Sequence, residues 1–453
     1  MDVGSMRSLF ETEGLPALLD FVKVPSLSPR FDTEWAAKGH IEQAVETVKA
    51  WAEGLGLPGL STHILRVSNA PPVLLCDIPG SNPASHTVLL YGHLDKQPGQ
   101  ASWPAFSPVL KEGKLYGRGA ADDEYAAITA LLAIKACGAD KPRCVVLLET
   151  EEESGSPHFS TYLQEIKERI GLPGLIIVLD SNIPSYDRLW VTESMRGSIS
   201  FDLRVDVLGK GVHSGCSGLV PDSFRVLRCL LARLEDPKTG RIRLPQLHSA
   251  LPPHLYRLFA SLAQLDPAWL SAFPLCSEPL HQDMVELRLN QAWRPALTVV
   301  GVDGLPGCQK AGNVVRPYTA VRVAIRLPPD LSPTEAYKAV QSSLLAAVPS
   351  QAQVTLTNST LAEGWVSRVQ SQKLQNAIKI ASQHCFGTEP LASAAGGTIP
   401  VLSLLSAAFP EAEFLVTGVL GPGSNAHSQY ECLDVEYCIK LTAAIASILK
   451  AVA

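Results

Sequence analysis

The order of apolar and polar residues divides the chain into stretches of different period. In the first part, helical patterns alternate with short unbroken apolar runs. "HIEQAVETVKAWAEGLG" carries Ile41, Val45, Val48 and Trp51 at helical spacing and closes on glycine, which predicts a helix. "TVLLYGHLD", "CVVLLETEEE" and "LIIVLDSN" are continuous runs, the pattern of strands buried on both faces. Such strands between helices predict an α/β arrangement, a mostly parallel sheet flanked by helices.

Past "SMRGS" the period becomes two. "SISFDLRVDV" sets Ile199, Phe201, Leu203, Val205 and Val207 at strict alternation, which predicts a half-exposed antiparallel strand. "VRVAIRL" and "QVTLTN" repeat that signal on either side of the helical "SPTEAYKAVQSSLLAAV". Together they predict an inserted α+β domain over residues 196–365, which splits the first architecture into segments 1–195 and 366–453. The Pro- and Leu-rich stretch 241–295 shows no period clear enough to assign. From residue 366 a helix over "SQKLQNAIKIASQHCFG" is expected, then "SAAGGTIPVLSLL", the strand "EFLVTGVLGPG", the short "SNAHSQYE" and a final amphipathic helix.

All three apolar runs end on ionisable residues: His93 and Asp95, then Glu151, Glu152 and Glu153, then Asp180. Ligands bind beyond the carboxyl ends of strands in open α/β sheets, so these side chains are expected to converge there. Asp122, in the glycine-rich turn that opens the helical "GRGAADDEYAAITALLAIKA", and His427, in "SNAHSQYE", complete a donor set. His93, Asp122, Glu153, Asp180 and His427 offer nitrogen and oxygen but no thiolate, which suits Zn²⁺, Mn²⁺ or Co²⁺. They suffice for two ions if Asp122 bridges. Two ions sharing a water lower its pKa and clamp the charge that develops on an attacked carbonyl. Glu152 would then be the general base, and Asp95 would orient the His93 imidazole or that base. Each motif alone has a purely structural reading: "GHLD" as a capped turn, "GRG" before acids as a helix start, "ETEEES" as solvated surface. Their joint occurrence at successive strand ends favours the metal site.

Composition narrows the classes. A chain of 453 residues holds two to three domains, and a net charge of −6 implies neither disorder nor a nucleic-acid surface. The 10 cysteines are scattered without a CxxC, so a zinc ribbon or a disulfide framework is not expected, and a reducing compartment fits. The N-terminus lacks an apolar signal core, and no run approaches the roughly 20 apolar residues of a membrane helix. The expectation is a soluble cytoplasmic protein with no nucleic-acid or membrane partner. No GxSxG elbow occurs in the "ESGS" stretch, which argues against a serine hydrolase.

The motifs "YGHLDKQP", "LYGRGAADDE", "EEESGS", "LDSN", "GVHSG", "GGTIP" and "NAHSQYE", in this order over nearly the whole chain, resemble the M20 metallopeptidase family. The resemblance is nearest to its carnosinase-like cytosolic nonspecific dipeptidases. It implies a zinc-exopeptidase-like catalytic domain with an inserted lid that makes a homodimer. It places metal ligands at His93, Asp122, Glu153, Asp180 and His427, the base at Glu152 and the accompanying aspartate at Asp95. It further implies a cis peptide bond between Asp122 and Asp123. His213 matches the histidine that reaches the partner's active site to stabilise the tetrahedral oxyanion, and Arg326 the lid arginine that grips the substrate carboxylate. Asn313 and Thr398 match polar positions lining the substrate site.

Two departures stand out. The carnosinase-like pattern reads REGGSIP, where the glutamate helps hold a dipeptide's free amino terminus; this chain has Ala395 there. The usual DDK is DDE, with Glu124. The leading expectation is a dinuclear metal-dependent dipeptidase. Ala395 favours an N-acyl amino acid deacylase with the same metal ligands, and a catalytically inactive metal- or ligand-binding homologue is a third reading, opposed by Glu152.

Overall fold

The computed structural model describes residues 2–82, 86–100, 102–265 and 269–453. The chain divides into two compact units, Met1–Glu193 with Ser367–Ser393 and Ile399–Ala453, and Ser194–Val366 with Ala394–Thr398.

The first unit is built on a six-stranded sheet in the order Ser61–Leu65, Val73–Ile78, Cys144–Glu149, Thr87–His93, Pro173–Val178, Glu413–Val416. The last four run parallel to one another, and the first two are antiparallel additions at one edge. Every residue of Thr87–His93 and of Cys144–Glu149 is buried, as their unbroken apolar runs require. The helices Leu15–Lys23, His40–Gly54, Glu124–Cys137, Gln372–Phe386 and Val435–Val452 pack in a connected series, and Phe159–Ile170 packs on Pro400–Ala408.

The final helix leaves Glu436, Lys440, Ser447 and Lys450 half-buried and buries most of its apolar residues, as an amphipathic helix does. Ala443, Ala444, Ile445 and Ala446 are all fully buried, because Val435–Val452 lies between Gln372–Phe386 and Glu124–Cys137 and so has no free face along these residues.

The second unit is a two-layer α+β structure. Its antiparallel sheet has the order Ala296–Asp303, Tyr318–Leu327, Gly197–Asp206, Gln353–Ala362. The two central strands alternate buried and half-buried along their full length. Ile199, Phe201, Leu203 and Val205 meet Val321, Val323 and Ile325 from the neighbouring strand, with Leu227 and Leu230 of helix Ser223–Leu234 and Val340 and Leu344 of helix Pro333–Leu345 above them. The stretch 241–295 contains the helices Pro253–Leu265 and Met284–Ala292, which pack on each other. Among the described residues no helix is long and apolar enough to cross a membrane.

Candidate metal centre

The site of the first unit grows out of its parallel strands. His93 is the last residue of Thr87–His93 and is fully buried. Gly92 before it makes room: a Cβ there would lie 2.5 Å from Ala126 Cβ and 2.9 Å from Asp123 Oδ2. Glycine therefore lets the Glu124–Cys137 helix and its leading acids approach the strand end. The His93 Nδ1 lies 3.0 Å from the Asp95 carbonyl oxygen, which leaves Nε2 facing Asp122 Oδ1 at 3.3 Å and Asp180 Oδ2 at 4.0 Å. Asp180 follows the Pro173–Val178 strand, in parallel register with the strand that ends at His93.

Asp122 touches a second group as well. Its Oδ2 lies 2.9 Å from His427 Nε2, which is also 3.2 Å from Glu153 Oε1. The donors thus form two clusters, His93–Asp122–Asp180 and Asp122–Glu153–His427, with atoms inside each within 4.8 Å of one another and Asp122 common to both. The Asp122–Asp123 peptide bond is cis. The set fits divalent ions on chemical grounds: it is all imidazole and carboxylate, and the buried Glu153 Oε1, though close to His427, has no aligned hydrogen bond.

Charge is concentrated here. Burial, then the charge of Asp123, pushes the Asp180 carboxyl well up, and burial, then Asp180, does the same to Glu152. Burial opposes ionisation of Asp122 too, but contacts with His427 and His93 win and hold its carboxyl below the usual range. The Asp122 and Glu153 contacts push the His427 imidazole up to about 10.

Asp95 contacts both the His93 ring and the turn that carries Glu152. Its carbonyl oxygen, not its carboxylate, takes the closest contact with the His93 ring. The carboxylate accepts the backbone N–H of Glu152 at 3.1 Å and of Glu153 at 3.0 Å, fixing the turn that carries both glutamates.

Several supporting residues were not found from sequence. Gln97 donates to Glu153 Oε2 at 2.6 Å, orienting that carboxylate. Glu431 is fully buried, and its Oε1 accepts the backbone N–H of Gly119, Ala121 and Asp122 at 3.0, 3.2 and 3.2 Å. Its Oε2 pairs with Arg118 Nη1 at 2.7 Å, and Arg118 Nη2 reaches the Ser428 carbonyl beside His427. "NAHSQYE" does contain Glu431, and an acid at a loop end four residues from a candidate ligand was the available signal.

The remaining candidates lie in the second unit, in two places. Arg326, on Tyr318–Leu327, donates through Nη1 to Thr398 Oγ1 at 2.9 Å, and Thr398 in turn donates to the Arg196 carbonyl. The Arg196 guanidinium bonds the carbonyls of Asn290, Arg294 and Gly396, so the stretch unassigned from sequence supports this group. The Arg196 backbone N–H reaches the carbonyl of Ala395. Asn313 lies beside His213 instead: its carbonyl accepts the Ser214 N–H at 2.9 Å, and His213 pairs with Val314. Both Asn313 and His213 are exposed. The His213 Nδ1 accepts the Gly215 N–H at 3.0 Å, so the neutral ring carries its proton on Nε2.

The chain is similar in sequence and in fold to known dipeptidases. The chain is 29% identical over 408 residues to a cysteinylglycine-S-conjugate dipeptidase of Corynebacterium striatum, covering 87% of this chain and 86% of that one. It is 29% identical to the Cys-Gly metallodipeptidase DUG1 of Saccharomyces cerevisiae, over 84% and 82% of the two chains. The Beta-Ala-His dipeptidase of Homo sapiens is 28% identical, over 80% and 74%. The solved structure of the yeast di-peptidase Dug1p superimposes with a TM-score of 0.79 at 21% identity, covering 99% of this chain and 98% of that chain. Human carnosine dipeptidase 1 gives 0.78 at 21% identity, over 99% and 98%. The profile of Peptidase family M20/M25/M40 matches residues 89–451, and the chain belongs to that family.

Proposed function

We propose that this protein is a dinuclear metal-dependent hydrolase of small peptide bonds, acting as a dipeptidase. The observation that carries this reading is the pair of donor clusters sharing Asp122 at the carboxyl ends of parallel strands. Divalent ions, Zn²⁺, Mn²⁺ or Co²⁺, held by His93, Asp122 and Asp180 and by Asp122, Glu153 and His427 would polarise the scissile carbonyl and acidify a water. Glu152, whose carboxyl burial pushes up, takes the proton of the attacking water and returns it to the leaving amine. Asp95 holds the Glu152–Glu153 turn in place for that transfer. Arg326, fixed by Thr398, receives the substrate carboxylate as a planar fork, and Asn313 lines the substrate site. The protein works as a homodimer in which His213 serves the partner's site, and its Nε2–H tautomer suits donation to an oxyanion. Ten unpaired cysteines support a cytoplasmic setting.

Ala395 supports a second reading, hydrolysis of N-acyl amino acids. It brings no charge to a substrate ammonium, while the Arg326 charge lowers the pKa of Arg196 in addition to the effect of burial. The test is cleavage of a free dipeptide against its N-acetyl amino acid counterpart by protein loaded with Zn²⁺ or Mn²⁺. Faster turnover of the free dipeptide supports the dipeptidase, preference for the acylated compound supports the deacylase, and cleavage of neither would reopen the substrate class.

A further inference from the structure

Glu124, which replaces the lysine of the family pattern, has a charged partner. Lys96 is fully buried, and its Nζ lies 2.8 Å from Glu124 Oε1, itself only 1% exposed. The same ammonium is 3.0 Å from the Phe21 carbonyl, 3.4 Å from Val22 and 2.6 Å from Val24, where the Leu15–Lys23 helix ends. An ammonium has three protons, and these carbonyls use them. Its contact with Glu124 is therefore a pairing of charges, and neither Glu124 oxygen has an aligned hydrogen bond. The space is closed around the pair: a Cβ on Gly119 would lie 2.5 Å from Lys96 Cε and 3.2 Å from Glu124 Oε2.

Stability alone is a weak reason for such a pair, because desolvating two ions costs several kcal/mol each and an apolar pair of similar volume often serves as well. Its location gives a better one. Lys96 follows Asp95, whose carboxylate fixes the backbone of Glu152 and Glu153. Its backbone is itself anchored, the N–H donating to the Ser26 carbonyl at 2.9 Å and the carbonyl accepting from Ser28 at 3.0 Å. Glu124 follows Asp122 and Asp123, and Asp123 Oδ2 accepts the His93 N–H at 3.2 Å. The pair spans the two turns that deliver the donors.

We propose that the Lys96–Glu124 ion pair is a positioning clamp that holds the His93–Asp95 turn against the Asp122–Asp123 turn and so sets the donor spacing for divalent ions. This rests on the metal-hydrolase reading above. The pair touches no candidate ligand atom; it acts through the backbone on which those ligands ride.

The test uses the full chain, stripped of metal and titrated with Co²⁺, following visible absorption, kcat, KM and thermal unfolding. Two variants are compared with the parent: Lys96→Met/Glu124→Leu, which replaces both charges with apolar groups, and Glu124→Gln, which removes one charge and leaves Lys96 on its three carbonyls. The expected result in both variants is Co²⁺ affinity weakened about tenfold, an altered Co²⁺ spectrum and a lower kcat at similar KM, with melting close to the parent in the double variant and lowered in Glu124→Gln, which leaves a buried ammonium without its counter-charge. If the double variant does not fold, Glu124→Gln alone decides. Parent-like affinity, spectrum and kcat in the folded variants would overturn the clamp while leaving the hydrolase reading intact. Loss of the fold in both would also overturn it, since the pair would then serve the core. A parent that binds no Co²⁺ would refute the metal-hydrolase reading and the clamp with it.

Discussion

Asp122 and His427, from segments of the first unit encoded before and after the second unit's main stretch, meet at 2.9 Å between Oδ2 and Nε2, while the other Asp122 oxygen faces His93. Because Asp122 belongs to both donor clusters and His427 to one, their removal should differ in effect. Asp122→Asn is expected to lose both ions, whereas His427→Ala keeps about one equivalent per chain. Metal analysis after dialysis checks this, and equal loss from both variants would contradict the sharing of Asp122.

Glu152 sits in the turn fixed by Asp95 but belongs to neither donor cluster. Glu152→Gln is expected to keep full metal content and lose about 10²–10⁴-fold in kcat. Steady-state kinetics on protein of verified metal content measures it; unchanged kcat would remove Glu152 from the role of base.

Glu431 and Arg118 form a buried pair whose carboxylate also gathers the backbone N–H groups around Asp122. Glu431→Gln keeps the shape but leaves the guanidinium without its counter-charge. A loss of about 3–5 kcal/mol in stability is expected, read from denaturant unfolding.

Glu149, the strand partner of His93, offers a pH test on a group that belongs to neither donor cluster. Burial pushes its carboxyl up to about 8, against the lowering effect of hydrogen bonds from Tyr91 and Ser156. Between the usual 4.5 and about 8 the folded chain keeps a proton that the unfolded chain has released, so this group's contribution is fully present below 4.5 and is lost as pH rises. The slope is at most about 1.4 kcal/mol per pH unit. Glu149→Gln should flatten the fall in melting temperature of metal-free protein between about pH 5 and 8; an unchanged profile would show that the group titrates normally.

His213→Ala and Glu152→Ala subunits each carry one lesion. If His213 serves the partner's site, subunits mixed and re-associated should recover about a quarter of parental activity, since half the dimers are hybrid and each has one intact site. No recovery would mean that each site is complete within one chain.

Much of this was legible in the sequence because the relevant patterns are local. Gly197–Asp206 reads as a strand since one face is buried and one is not, and the strand-end donors follow from where open α/β sheets present ligands. What escaped reading is long-range. Lys96 with Glu124, Gln97 with Glu153 and Glu431 with the Asp122 backbone are loop-to-loop contacts that leave no period in the chain. The edge strand Ala296–Asp303 was missed for a different reason: Val299, Val300 and Val302 are all exposed, and the register shifts between Val299 and Gly301, so alternation fails. Helix Pro253–Leu265 buries only Leu255, Phe259 and Leu262, a thin stripe between proline-rich flanks.

The first unit is discontinuous: its sheet takes Glu413–Val416 as a strand beside Pro173–Val178, and its packing takes in Val435–Val452, both encoded after the second unit. On the ribosome, a chain that has emerged only as far as the second unit has His93, Asp122, Glu153 and Asp180 but neither His427 nor the helix that closes the core. The donor set is completed last, so a nascent or prematurely terminated chain is an incomplete catalyst, and loss of even the final helix is expected to be felt as misfolding rather than as trimming.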